Sequence, residues 1–244
     1  DLSPRRRAVA EAVGGLLVGL GVRFDLWVGK FNTHHKELHY LYKLRQTVRP
    51  IDWVVPADVD ELHSFGKPLG ELSMGLLAAG CAAMPGAYVD RVAAGGELAA
   101  VTAAAPLGEQ FPLRCNVLGA VGAGARPAAT HKVVIHRGDL RVDGGHHELQ
   151  GAKFFEELGY GELLGGLPGG GRAIGNPPPL CPVAPVDVHH YKWVAGVVEY
   201  LHDRARNFRQ AGLRWWRESA DVADYLEEHG GRVCVECNGT CEVV

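Results

Sequence analysis

Ile51-Asp52-Trp53-Val54-Val55-Pro56-Ala57-Asp58-Val59-Asp60-Glu61-Leu62 joins an apolar run to an acidic triplet. Apolar and β-branched residues bounded by proline predict a short buried strand over 51–55. The chain then breaks into an acidic triplet. On an extended segment residues two apart share a face, so Asp58 and Asp60 are expected to point the same way, toward a shared cation. Hard oxygen donors of this kind suit Mg2+ or Mn2+, which bridge phosphates. In open α/β sheets ligands bind beyond the carboxyl ends of strands, where this triplet falls. The plain alternative is an exposed acidic turn.

Working outward, Ser3-Pro4 predicts a helix that runs to Leu20 and stops at Gly21. Phe24–Phe31 reads as a strand. His35–Val48 reads as a helix with Leu38, Leu41 and Leu44 on one stripe, closed by Pro50. Downstream, a helix is expected over Pro68–Gly80 and strands over Gly86–Val92, Lys132–His136 and Leu140–Val142. Residues 93–129 are rich in Ala and Gly and read as loop. Gly165–Pro182 is either a linker or a loop over a site. Lys192–Gln210 and Trp215–Glu228 read as two helices joined at Gly212. This alternation predicts an α/β fold with a mostly parallel sheet flanked by helices.

Composition narrows the function classes. Of 244 residues, 47% are apolar, enough to bury a sizeable core. The net charge is -3 and Arg5-Arg6-Arg7 is the longest basic run, which argues against a nucleic-acid partner. No apolar stretch reaches the ~18 residues of a membrane span. The first residue is Asp1, so the chain reads as a piece of, or a product from, a longer protein. Its compartment stays open: cytoplasmic, or the Golgi lumen if the full protein carries an anchor. Cys81, Cys115 and Cys181 read as isolated thiols. Cys234, Cys237 and Cys241 read as a disulfide-bonded or inert tail. Zinc is the alternative there, with His229 nearby and no settled fourth ligand. Asn238-Gly239-Thr240 is a glycosylation sequon.

The segment Trp53–Leu62 resembles the D-x-D-E strand end of GT-A glycosyltransferases, above all their family 2 and family 92 members. Tyr88-Val89-Asp90-Arg91-Val92, Glu109-Gln110-Phe111-Pro112-Leu113 and His131-Lys132-Val133-Val134 follow in the order expected of such proteins. His189-His190-Tyr191-Lys192-Trp193 is similar to their closing H-x-K-W element. The resemblance covers residues 24 to 230 and implies a GT-A-like domain over 1–230, with 231–244 a cysteine-containing tail. It also implies that the first strand and helix of such a domain are missing, leaving the sheet incomplete at its N-terminal side. Asp1-Leu2-Ser3 would be the remnant of a D-x-S turn.

The same resemblance assigns roles. Asp58 and Asp60 would hold Mn2+ or Mg2+ and the sugar nucleotide, and His146 or His147 would complete the metal site. His190 and Lys192 would lie near the diphosphate, the lysine balancing its charge. Asp143, Glu148 and Asp90 are candidates for the general base by position. Plainer readings stand beside these: a polar hairpin turn for 143–147, a solvated lysine at 192, and a structural Asp90-Arg91 pair. The expected reaction is transfer of a sugar from a nucleoside diphosphate to a hydroxyl of a glycan, protein or small-molecule acceptor. Two other classes compete. A haloacid-dehalogenase-like phosphatase also carries D-x-D after an apolar strand, but Leu62 stands where Thr or Val is usual. An inactive transferase fragment could serve as a binding module.

Overall fold

The structure is a computed structural model that describes residues 4–23, 33–121, 131–147, 149, 181, 184–213, 215–237 and 241–243. It divides into two units, Asp1–Gln46 and Thr47–Val244. The first carries helices α1 (Pro4–Gly19) and α2 (Thr33–Thr47). Both match the expected helices to within two residues. The strand expected at 24–31 lies outside the described residues.

The second unit is built on a mixed sheet. Its strands are β1 (Trp53–Val54), β2 (Glu61–Ser64), β3 (Ala83–Val92), β4 (Leu113–Cys115), β5 (His131–Arg137), β6 (Asp187–His190) and β7 (Cys241–Val243). Strand β3 is the axis. Ala87 pairs with both His131 of β5 and Asp187 of β6, and Asp90 with both Cys115 of β4 and His190 of β6. Strands β5 and β4 therefore share one edge of β3, end to end, and β6 takes the other. Beyond them lie β1 on β5, β7 on β4 and β2 on β6.

The α/β class holds, but the mostly parallel sheet expected from the sequence does not appear among the described residues. Only β3 and β6 run parallel, and the other pairings are antiparallel. The cause lies in the connections. Several strands are two to four residues long and pair with distant segments, not through a regular helical crossover. Pro85 inside β3 cannot donate to a ladder, and the register shifts between Met84 and Pro85 to accommodate it.

Helices follow the expected pattern more closely. Helix α3 (Leu69–Ala78) buries Leu72 and Leu76, one turn apart, against Met84, Val134, Ile135, Val186 and Val188. After it come α4 (Leu107–Gln110) and α5 (Val117–Val121). Helices α6 (Val197–Gln210) and α7 (Trp216–Glu228) bury Leu201, Val222 and Leu226 in a second cluster with Val92, Val117 and Trp193. The expected boundary at 230 is not where the structure divides. Val233 is buried, its N–H donates to Gly96 O at 2.8 Å, and β7 extends the sheet. A Cβ on Gly96, whose φ is +80°, would stand 1.9 Å from Val233 O, so only glycine allows this approach.

All six cysteines are paired: Cys81–Cys181, Cys115–Cys241 and Cys234–Cys237. This overturns the reading of Cys81, Cys115 and Cys181 as isolated thiols. Their partners lie 100 and 126 residues away, beyond the reach of local spacing.

Candidate functional site

The acidic motif sits in the link between β1 and β2, several residues past the end of β1. The N–H of Glu61 donates to Asp58 O at 3.1 Å, and the N–H of Asp58 donates to Glu61 Oε2 at 3.3 Å. This turn replaces the two-residue alternation of an extended chain, and the two aspartates engage different side chains. Asp58 Oδ2 lies 3.2 Å from Lys132 Nζ, whereas Asp60 Oδ2 lies 3.4 Å from His190 Nε2. In this arrangement the two carboxylates rest on separate cationic partners.

Lys132 projects from β5 and also pairs with Glu61 Oε1; the two side chains are 4% and 1% exposed. Burial pushes the Glu61 carboxyl up, but the nearby His63 ring and the Lys132 charge outweigh it and hold the group below its ordinary range. Lysine and glutamate are seldom buried so fully unless paired. Sequence reading passed over Lys132, Glu61 and Tyr88 as site residues. A lysine inside the apolar run His131–Ile135 was the available signal for the first.

His190 is held from both sides. Its Nδ1 lies 2.8 Å from Asp90 Oδ1, and Asp90 Oδ2 accepts the N–H of Val117 at 2.9 Å. Carboxylate oxygens on both sides of the ring favour its protonated form. Burial opposes that charge, but the bonds to Asp60 and Asp90 raise the His190 pKa overall. Asp60 is lowered in turn, chiefly by His190. Asp90, buried beneath the ring with both oxygens engaged, anchors His190. The other base candidates fare differently. Asp143 shapes a turn through Gly145 N–H at 3.1 Å and His146 N–H at 2.9 Å, and Glu148 lies outside the described residues.

A stability prediction follows from His190. A raised folded-state pKa contributes stability that is fully present below the ordinary value of 6.5 and is lost as pH rises through the raised value. Urea midpoints measured from pH 6 to 9 should therefore fall on the alkaline side in the wild type and stay flatter in His190→Gln. Parallel profiles would mean that the ring is neutral throughout.

The histidine pair sits in a strained turn. His146 has φ 61°, the one non-glycine residue with positive φ among the described residues. Its carbonyl accepts the N–H of Val133 at 2.7 Å, fixing the turn to β5. The next ring, His147, places Nδ1 2.8 Å from His131 O. A carbonyl only accepts, so Nδ1 carries a proton, and Nε2 is the ring nitrogen left to meet a ligand. The Tyr88 ring joins the parts: its centroid lies 5.8 Å from the His147 ring and 4.8 Å from the His190 ring, and Lys132 Nζ is 5.3 Å away. Burial, then Asp90, Glu61, Asp60 and Asp58 in that order, push the Tyr88 pKa far up, so the phenol stays protonated.

Lys192 follows β6 and lies 5.3 Å over the Trp193 ring. Burial and then the Arg204 charge push its pKa down to about 8, against Glu218, Asp90 and Asp60. By accessible surface the lysine is half-buried. Among the described residues, however, the ligand atoms of Asp58, Asp60 and either histidine are not gathered within 4.8 Å of one another; only His229, Cys234 and Cys237 are.

The chain matches no family model, no curated protein and no solved structure. No helix among the described residues is long and apolar enough to cross a membrane.

Proposed function

We propose that the protein transfers a sugar from a nucleoside-diphosphate donor to an acceptor hydroxyl with the help of Mn2+ or Mg2+. One observation carries the reading: the acidic turn at 58–61 and the strained turn at 143–147, remote in sequence, meet around the Tyr88 ring through His190, Lys132 and His147. Asp58, Asp60 and His147 offer two carboxylates and an imidazole whose Nδ1 is engaged elsewhere, a donor set that suits these ions. Bound there, the metal would offset charge on the departing diphosphate.

The remaining chemistry belongs to the chain. Lys192, with Arg204 near it, supplies positive charge at the same end of β6. His190 links Asp60 to Asp90 and fixes where the Asp60 carboxylate points. The paired cysteines favour the luminal alternative over the cytoplasm, because structural disulfides persist in oxidising compartments.

The test is calorimetric titration of a nucleoside diphosphate in the presence of Mn2+. Asp58→Ala or Asp60→Ala should weaken binding by more than the ~10–100-fold typical of losing an outer-shell partner. Equal binding by both variants and wild type would remove the metal role. Labelled sugar incorporated from a nucleotide donor, against phosphate released from a phosphomonoester, separates this reading from the phosphatase.

A further inference from the structure

His229, Cys234 and Cys237 form a cluster at the opposite end of helix α7 from its start at Trp216. Their ligand atoms all lie within 4.8 Å of one another, and all three residues are half-buried. His229 occupies the helix C-cap, where its Nδ1 lies 2.7 Å from Tyr225 O. The carbonyl can only accept, so the ring proton sits on Nδ1 and the lone pair on Nε2, 3.8 Å from Cys237 Sγ. The ring also rests on Tyr225, centroids 4.5 Å apart, and the hydroxyl of Tyr225 accepts the N–H of Cys234 at 3.0 Å. One buried tyrosine thus positions both the imidazole and the first sulfur. The loop between them is pinned by the Val233–Gly96 bond and the Glu97–Arg232 bridge.

We propose that these three residues are a soft-metal site, of zinc type, that becomes available when the Cys234–Cys237 disulfide is reduced. The two-electron reductant is a dithiol. One of its thiolates attacks a sulfur of the bond to form a mixed disulfide. Its second thiolate then closes the reductant into a disulfide and frees both cysteines. Binding of Zn2+ releases the two thiol protons and leaves two thiolates, one imidazole and one position for water, a coordination known for zinc. The preset tautomer of His229 is the orienting contact that such ligands usually receive from an outer shell.

Two observations make this disulfide the one to open. Both of its cysteines are half-buried, whereas each of the other two pairs has one half-buried cysteine, Cys181 or Cys241, and one buried, Cys81 or Cys115. It also closes a sequence separation of 3, against 100 and 126, so opening it releases the least chain entropy to the unfolded state and costs the fold least. The proposal is independent of the sugar-transfer reading, because the cluster shares no residue with that site.

The experiment uses the full chain, oxidised or treated with dithiothreitol and then freed of it under inert gas. Zinc stoichiometry is read by native mass spectrometry, affinity by competition with a chromophoric chelator, and ligand type by Co2+ absorption. Reduced protein should bind one zinc and give the thiolate-to-cobalt band in the near ultraviolet, whereas oxidised protein should not. Cys234→Ser/Cys237→Ser should bind none after the same treatment, and His229→Ala should bind at least tenfold more weakly. The double variant retains all four cysteines of the long-range disulfides, and its circular dichroism after the same treatment checks that it stays folded. The proposal is overturned if reduced wild type takes up no zinc, if oxidised protein binds as well, or if the reduced double variant matches the wild type.

Discussion

Lys132→Met should lower unfolding free energy by about 3–5 kcal/mol, the range seen when one partner of a buried ion pair is removed. The lysine meets Glu61, and both side chains are almost wholly buried. Its second partner, Asp58, is partly exposed and can turn to water. Glu61 has no such escape, because the nearest remaining ring nitrogen, His63 Nε2, is 3.8 Å away. Without the ammonium, burial dominates and the Glu61 carboxyl moves up from its present lowered position. A raised acid pKa favours the fold at low pH, so the deficit of the variant should shrink as pH falls toward about 5 and widen toward 8. Urea unfolding at several pH values measures this. Adding Glu61→Gln should recover much of the loss by removing the stranded charge. A deficit below about 1 kcal/mol, flat with pH, would show that water reaches the pair.

Removing Cys81–Cys181 with a double alanine variant should cost close to 5 kcal/mol, by the chain-entropy relation for a closure of 100 residues. Removing Cys115–Cys241, with a separation of 126, should cost about the same. Cys234–Cys237, with a separation of 3, should contribute only about 1.5–2 kcal/mol. Denaturation of the three double variants at one pH checks the order. A short pair that mattered as much as either long one would overturn the entropic account.

Legibility in the sequence followed the range of the interactions. Helices α3, α6 and α7 were readable because their buried leucines and valines repeat locally, and the structure places α3 and α7 within two residues of expectation. Strands β3 and β5 were readable as apolar runs, though both extend further. Strands β2, β4, β6 and β7 were not, since three or four residues carry no periodicity and their partners are far along the chain. Pairing direction failed for the same reason. At the site, Asp58, Asp60 and His190 were singled out by residue type and order. That Asp60 would turn to His190, and Asp58 to Lys132, depends on the turn closed by Glu61 and on the register of β6. The disulfide partners were equally hidden, because nothing near Cys115 specifies Cys241.

The placement of β6 also sets when the site can exist during synthesis. Strand β2 pairs with β6, and β6 inserts between β2 and β3 only after residues 187–190 are available. Until then a chain emerging from the ribosome holds Asp60 and Asp90 without the imidazole that joins them. Strand β7 and the Cys115–Cys241 bond come later still. Such remote pairings slow folding and leave strand edges exposed while the chain waits. A chain released before residue 187 would therefore leave the acidic turn with no strand to dock on.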